Sequence, residues 1–320
     1  MYTVDGLQCY MTASSEPPLP PSDNLTASQK LLLRWHCRLS HLNFQNLQDL
    51  ARQGKLPKKI LGCSPPLCCS CLFGKAHRRA SPSSDAVRHI DSGDLHPGEK
   101  VSVDQLESST PGYVDTFKGK PTKAKCNAAS VYIDHASRFI FVKCHFSTSG
   151  SEAVEGKTIF EQLAASNGVK VKAYRADNGI MACHEYVNHV KINQQNITYC
   201  GVNSHEQNGI AERGICTLCD RARTMLIRAM EHWPDVVTLD LWPFALCMAA
   251  DIHNATTGPT SLSPEEIFMQ QKSRPDRLLD FHTFGCPVFV LEPSLQQGHK
   301  IPKWQPRAIY NKDLFYCLLH

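Results

Sequence analysis

Residues 172–215 read KAYRADNGIMACHEYVNHVKINQQNITYCGVNSHEQNGIAERGI. KAYRAD has strand character and an acid at its end, HEYVNHVKINQQ is a helical pattern, and ITYCGV returns to a short strand. A long helix is expected next, from about Asn208 to Met230, stopped near Trp233 and Pro234. Upstream, VSVDQL (101–106), AASVYID (128–134) and RFIFVKCHF (138–146) are rich in β-branched and aromatic residues, while SEAVEGKTIFEQLAASNG (151–168) is a helical pattern closed by Gly168. Three strands followed by helices alternating with two more strands imply a mixed α/β sheet with helices packed against it.

The chain of 320 residues is long enough for about two domains, and its net charge of +4 is too mild to identify a partner. The charge is uneven, however. Between Lys30 and Ala80 ten basic residues face one acid, Asp49, an asymmetry that points to a polyanion such as nucleic acid or else to solvated surface. Fifteen cysteines, with no basic-then-apolar leader at the start, favour reduced intracellular thiols over a disulfide framework. The longest apolar stretch, LWPFALCMAADI (241–252), contains Pro243 and is too short to span a bilayer. The Ser- and Pro-rich stretch 1–28 reads as a disordered arm and 81–97 as a linker, with a small module at 29–80 between them.

Within that module KLLLRWHCRLSHLNFQNLQDLARQG (30–54) suggests two short helices ended by Gly54, followed by a Cys-rich knot, CSPPLCCSC (63–71). His36 and His41, in or beside a helix, and Cys68 and Cys71, in a tight loop, have the spacing H-x4-H-x26-C-x2-C and can supply tetrahedral ligands to zinc. So small a module has little core of its own, and metal would drive its folding. Cys63 and Cys69 lie nearby, but Cys69 in place of Cys68 would leave one residue between the thiolates, which is poor zinc geometry. Cys216 and Cys219, a second C-x-x-C, lie in the long helix without a histidine pair and read as half-buried thiols.

Asp104 falls at the first strand, Asp177 ends the fourth, and Glu212 lies in the first turns of the long helix. Strand ends and a helix start can converge at one edge of a sheet, and clustered carboxylates are tolerated where they hold divalent cations. Spacing alone leaves the alternative of solvated surface acids open. Asp134 and His135 could join such a site, but they read better as a turn between the second and third strands. Trp233, Trp242 and Phe244 are read as core or interface aromatics, and Arg213, Arg221, Arg223 and Arg228 as a helix face partly available to phosphates.

WHCRLSHL, CSCLFGKAHRRA, VSVDQL, IDHASRFIFV, RADNG and QNGIAERGI, in this order, resemble the integrase region of copia-type long-terminal-repeat retrotransposon polyproteins. FHTFGCPVFVL and KWQPRA are similar to the stretch after the catalytic core. The resemblance implies a zinc-binding pre-integrase module, an RNase H-like catalytic core over 98–270, and a post-core extension over 271–320 that is truncated or divergent. It implies that Asp104, Asp177 and Glu212 bind two magnesium or manganese ions, that His36, His41, Cys68 and Cys71 bind zinc, and that Asn178, Gly179, Gln207 and Asn208 shape the active-site loop or touch DNA. Thirty-four residues separate Asp177 from Glu212, one fewer than usual for the family.

The expected activity is that of an integrase, an endonuclease and polynucleotidyl transferase that cleaves the 3′ ends of element DNA and joins them to target DNA. Its partners would be double-stranded DNA and further copies of itself, with no membrane, and its place of action the nucleus. Lys58, Lys59, Arg78, Arg79 and Arg213 are the candidate phosphate contacts. The ending AIYNKDLFYCLLH suggests a piece of a polyprotein, and the alternative is a non-catalytic nucleic-acid-binding remnant.

Overall fold

The computed structural model describes residues 3–4, 7–8, 25–77, 95–114, 124–200, 209–258, 262–287 and 289–310. A two-stranded hairpin, β1 (Thr3–Val4) with β2 (Leu7–Gln8), lies within the expected arm. Helix α1 (Ala27–Arg38) begins with a capping box: the Thr26 hydroxyl accepts from the Gln29 N–H, and the Gln29 side-chain oxygen accepts from the Thr26 N–H. In α2 (Phe44–Arg52) the Asn43 carboxamide oxygen caps the Gln45 N–H, and the chain turns away at Gly54 with φ +79°. The Cys pair does not sit in a loop as expected. Cys68 is the N-cap of a short helix, α3 (Cys69–Gly74), which carries Cys71 in its first turn.

The five expected strands are β3 (Val101–Gly112), β4 (Cys126–Asp134), β5 (Ile140–His145), β6 (Ala173–Ala176) and β7 (Asn196–Tyr199). Their order is β5-β4-β3-β6-β7, antiparallel on the β5 side of β3 and parallel on the β7 side. This arrangement, with helices on both faces, is the RNase H-like fold. Helices α4 (Gly150–Ser166) and α5 (His184–Ile192) cover one face, where Phe160 and Tyr186 pack with Val101, Val103, Tyr132 and Tyr174. Helix α6 (Gly209–His232), in the region expected, covers the other face with Leu218 and Met225 against Val131 and Ile133. Gly214 lets it approach closely, since a Cβ there would lie 2.1 Å from Ile133 Cδ1.

Beside α6 runs α7 (Trp242–Ala255), formed by the apolar stretch around Pro243. Proline is harmless there because the first turn of a helix leaves its N–H groups unpaired in any case. Among the described residues no helix is long and apolar enough to cross a membrane. A short α8 (Pro264–Phe268) places Phe268 against Phe139, with ring centroids 4.5 Å apart. The chain continues through β8 (Phe289–Leu291), α9 (Pro293–Gln296) and β9 (Ala308–Tyr310), the two strands pairing antiparallel.

The N-terminal module was expected to have little core of its own, and the structure gives it a shared one. Leu32, Trp35, Leu39 and Leu47 belong to one apolar cluster with Met225, Leu226, Ala229, Leu278 and Phe281. Gly74 meets α6 so closely that a Cβ would sit 2.3 Å from Thr224 Oγ1 and 2.9 Å from Thr224 Cα. Arg223 Nη1 donates to the Gly74 carbonyl at 2.7 Å, and His77 Nε2 lies 2.7 Å from Asp220 Oδ2. Arg38 donates to the carbonyls of Leu279 and Phe281 while its guanidinium stacks 4.8 Å over Trp35.

Candidate functional site

Two left-handed residues, Ser40 and His41, fold the chain back after α1, so that His41 returns beside His36 on the helix. His41 Nδ1 lies 3.1 Å from His36 Nε2 and 3.5 Å from Cys68 Sγ, and Cys71 Sγ lies 3.2 Å from His36 Nε2 and 3.6 Å from His41 Nδ1. All four ligand atoms fall within 4.8 Å of one another. Zinc with arms of about 2.0–2.3 Å needs tetrahedral edges of roughly 3.3–3.8 Å, so this donor set is compatible with zinc. Cys68 rather than Cys69 belongs to the group.

The surroundings suit ligation. His36 Nδ1 donates to the Leu42 carbonyl at 2.8 Å, which leaves Nε2 with its lone pair facing the cluster, and the ring stacks on Phe44 at 4.3 Å. Burial pushes the His41 imidazole down to about 4, so it is neutral at physiological pH, as a ligand must be. The hydrogen bond from Cys71 holds the Cys68 sulfur as thiolate, and that shared proton keeps Cys71 well above the usual thiol range. Lys75 Nζ donates to the His41 carbonyl at 2.6 Å. The histidine and cysteine spacing was visible in the sequence, but Phe44, the Leu42 carbonyl and Lys75 act through the folded loop and carried no signal there. All described cysteines are free; of the second C-x-x-C, Cys219 is half-buried, with its thiol raised by burial, whereas Cys216 is exposed, so the half-buried reading holds for Cys219 only.

Asp104 lies in β3, Asp177 directly follows β6, and Glu212 lies on α6. In the parallel β3/β6 ladder Val101 faces Tyr174 and Ser102 faces Arg175. Asp104 lies two residues beyond Ser102 on β3, and Asp177 lies two residues beyond Arg175, just past the end of β6. Val103 packs beneath α4 and α5, so the alternation turns Asp104 to the opposite, α6 face. Glu212 lies in the first turn of α6.

Cys200 lies just past β7. Its N–H donates to the Ala176 carbonyl at 3.1 Å, and its own carbonyl accepts from Asn178 Nδ2 at 2.9 Å. Burial raises the Cys200 thiol, Arg175 pulls it back, and the Asp177 and Glu212 carboxylates add to the rise, so both charges act on one sulfur. Gly179 N–H donates to Asp177 Oδ1 at 3.1 Å, and a Cβ at Gly179 would press on both Asp177 oxygens. Gln105 N–H donates to Asp104 Oδ1 at 2.8 Å.

The expectation that the three carboxylates stand close enough to share ions without metal is not met. Among the described residues, the group of His, Cys, Asp and Glu tight enough to hold an ion is the His36, His41, Cys68 and Cys71 cluster. Like charges without a cation between them repel, which keeps such oxygens apart.

Asp134 and His135 are structural. Asp134 Oδ1 accepts from the Gly98 N–H and Oδ2 from the Ser137 N–H and hydroxyl, closing the β4–β5 turn, while His135 Nε2 lies 2.8 Å from Ser102 Oγ. Lys58 and Lys59 are exposed on a short 3-10 turn, and Arg213 is exposed on α6. Arg78, Arg79, Gln207 and Asn208 lie outside the described residues.

Residues 8–76 match the family model described as the GAG-pre-integrase domain. No curated protein matches the chain. Among solved structures it is similar to the HTLV-2 integrase catalytic core domain in complex with magnesium, at 17% identity over 54% of this chain and 98% of that one, with a TM-score of 0.38. A simian T-cell lymphotropic virus intasome in complex with a PP2A regulatory subunit matches at 16% identity over 68% of each chain, with a TM-score of 0.41. The BIV integrase catalytic core domain matches at 16% identity over 54% of this chain and 95% of that one, with a TM-score of 0.37.

Proposed function

We propose that the chain is the integrase region of a long-terminal-repeat retroelement, of copia type, acting on double-stranded DNA in the nucleus as an oligomer. The observation that carries this reading is the union of a GAG-pre-integrase match at 8–76 with an RNase H-like sheet in which Asp104 lies in β3 and Asp177 directly follows the neighbouring strand β6. An oxygen-only donor set at Asp104, Asp177 and Glu212 suits magnesium or manganese. Such ions, when bound, stabilise the attacking and leaving oxygens of a phosphoryl displacement.

The chain's own residues then have distinct tasks. Asp104 lies in the first half of β3, and Asp177 is oriented by the Gly179 N–H while Asn178 ties its loop to Cys200 just past β7. Glu212 lies in the first turn of α6. His36, His41, Cys68 and Cys71 hold zinc, which joins the returning chain after α1 to α3. Lys58, Lys59 and Arg213 offer phosphate contacts, with recognition largely independent of sequence.

The deciding experiment is a magnesium- or manganese-dependent 3′-end cleavage and strand-transfer assay on element-end duplexes, beside a binding assay without metal. Glu212→Gln is expected to reduce cleavage by at least about a hundredfold while DNA binding stays near wild type. Robust cleavage by that variant would end the active-site reading.

A further inference from the structure

The turn that leads into β9 presents an indole to solvent. Pro302, Lys303, Trp304 and Gln305 form a β-turn in which the Gln305 N–H donates to the Pro302 carbonyl at 3.1 Å, and Trp304, on the turn, is 89% exposed. The other three tryptophans, Trp35, Trp233 and Trp242, lie in or against the apolar cluster built on α1, α6 and α7. Trp304 is the one outside a core. A single exposed apolar side chain needs no partner, so what distinguishes this one is its surroundings. The Lys303 ammonium lies 5.1 Å from the ring centroid, and from His299 to Arg307 the chain carries Lys300, Lys303 and Arg307, all exposed, with no acid among them. Pro302 and Pro306 bracket the turn and fix φ on either side, so little order is lost when something docks there.

We propose that this turn is a nucleic-acid contact in which Trp304 stacks on an unpaired base while Lys300, Lys303 and Arg307 meet the adjoining phosphates. A protein or membrane partner would call for a wider apolar surface than one ring among three cations. A nucleotide strand calls for both features on the page, an open aromatic face and positive charge beside it. Bases inside a duplex already stack on their neighbours, so the surface favours single strands and opened ends. DNA and RNA strands share this chemistry.

The test uses the full chain with zinc supplied, and measures by fluorescence anisotropy its affinity for oligothymidylate, oligouridylate and a blunt duplex with G·C ends. Trp304→Ala is expected to weaken binding to the single strands about tenfold and to leave the duplex within about twofold, while Trp304→Phe keeps most of the affinity. Stacking also quenches indole emission, so oligothymidylate should quench the wild type and quench Trp304→Phe far less at equal occupancy. Changing Lys300, Lys303 and Arg307 together to Gln should reduce the slope of log affinity against log salt on the single strand by about 2. Whichever strand shows the larger Trp304 effect identifies the source. Single-strand affinity unchanged in Trp304→Ala, an equal loss on strand and duplex, or quenching that persists in Trp304→Phe would each overturn the proposal. Because no cleavage is read, failure here leaves the integrase reading untouched, and failure of the Glu212→Gln test leaves this contact untouched.

Discussion

At Gly74 one added carbon would meet the backbone of the facing helix, because a Cβ would sit 2.9 Å from Thr224 Cα. Gly74→Ala is therefore expected to destabilise the chain by about 1–3 kcal/mol, the range for forcing extra volume into a packed contact, and chemical denaturation would measure it. Cys71 makes the converse case. Its sulfur is the ligand that α3 brings against His36, so Cys71→Ser should lose bound zinc, read by elemental analysis, and with it much of the helical signal of the module. Retention of zinc by that variant would remove Cys71 from the ligand set. The four ligands could be read from spacing because histidine and cysteine at those intervals are rare by chance.

Among the elements, α6 was legible because its apolar residues recur at helical spacing over many turns, whereas α7 was not. Helix α7 is buried nearly all round, with Phe244, Ala245, Leu246, Met248, Ala249 and Ile252 in the core, so it lacks the polar face that would have marked its period. The strands were legible by composition, and β3 runs longer than its apolar word because the residues beyond Leu106 are polar yet still pair with β4. The shared core of the module was hidden for a related reason: α1 looks like a small independent helix until the partners of Trp35 and Leu39 are known. The short turn carrying Lys58 and Lys59 projects both lysines into solvent. Changing both to Gln should weaken binding to unrelated duplexes by a similar factor and reduce the slope of log affinity against log salt by up to about 2. An unchanged slope would make them ordinary solvated lysines.

Over the whole molecule, buried His135 and half-buried His253 contribute an acid limit to stability. Burial lowers His135 to about 4, aided by Lys100, Arg138 and Arg175, and lowers His253 to about 4, aided by Arg221. Both titrate near 6.5 once unfolded, so below that value the unfolded chain binds protons that the folded chain refuses. Stability is therefore full above about pH 6.5 and falls progressively toward pH 4. Melting temperatures across that window should decline, and His253→Gln should flatten the decline; an equally steep decline in that variant would remove His253 from the account. The docking of Arg38 onto the carbonyls of Leu279 and Phe281 has a further consequence, which concerns time. The two ends of that contact are separated by 241 and 243 residues. At about 5–20 residues per second, a ribosome finishes the second roughly 12–50 seconds after the first. Throughout that interval Leu32, Trp35 and Leu39 have left the ribosome without the surface that will cover them. Early capture of zinc by the neighbouring histidines and cysteines would hold the nascent module in shape while it waits, and starving translating cells of zinc would send the newly made chain toward chaperones and proteases before its sheet exists.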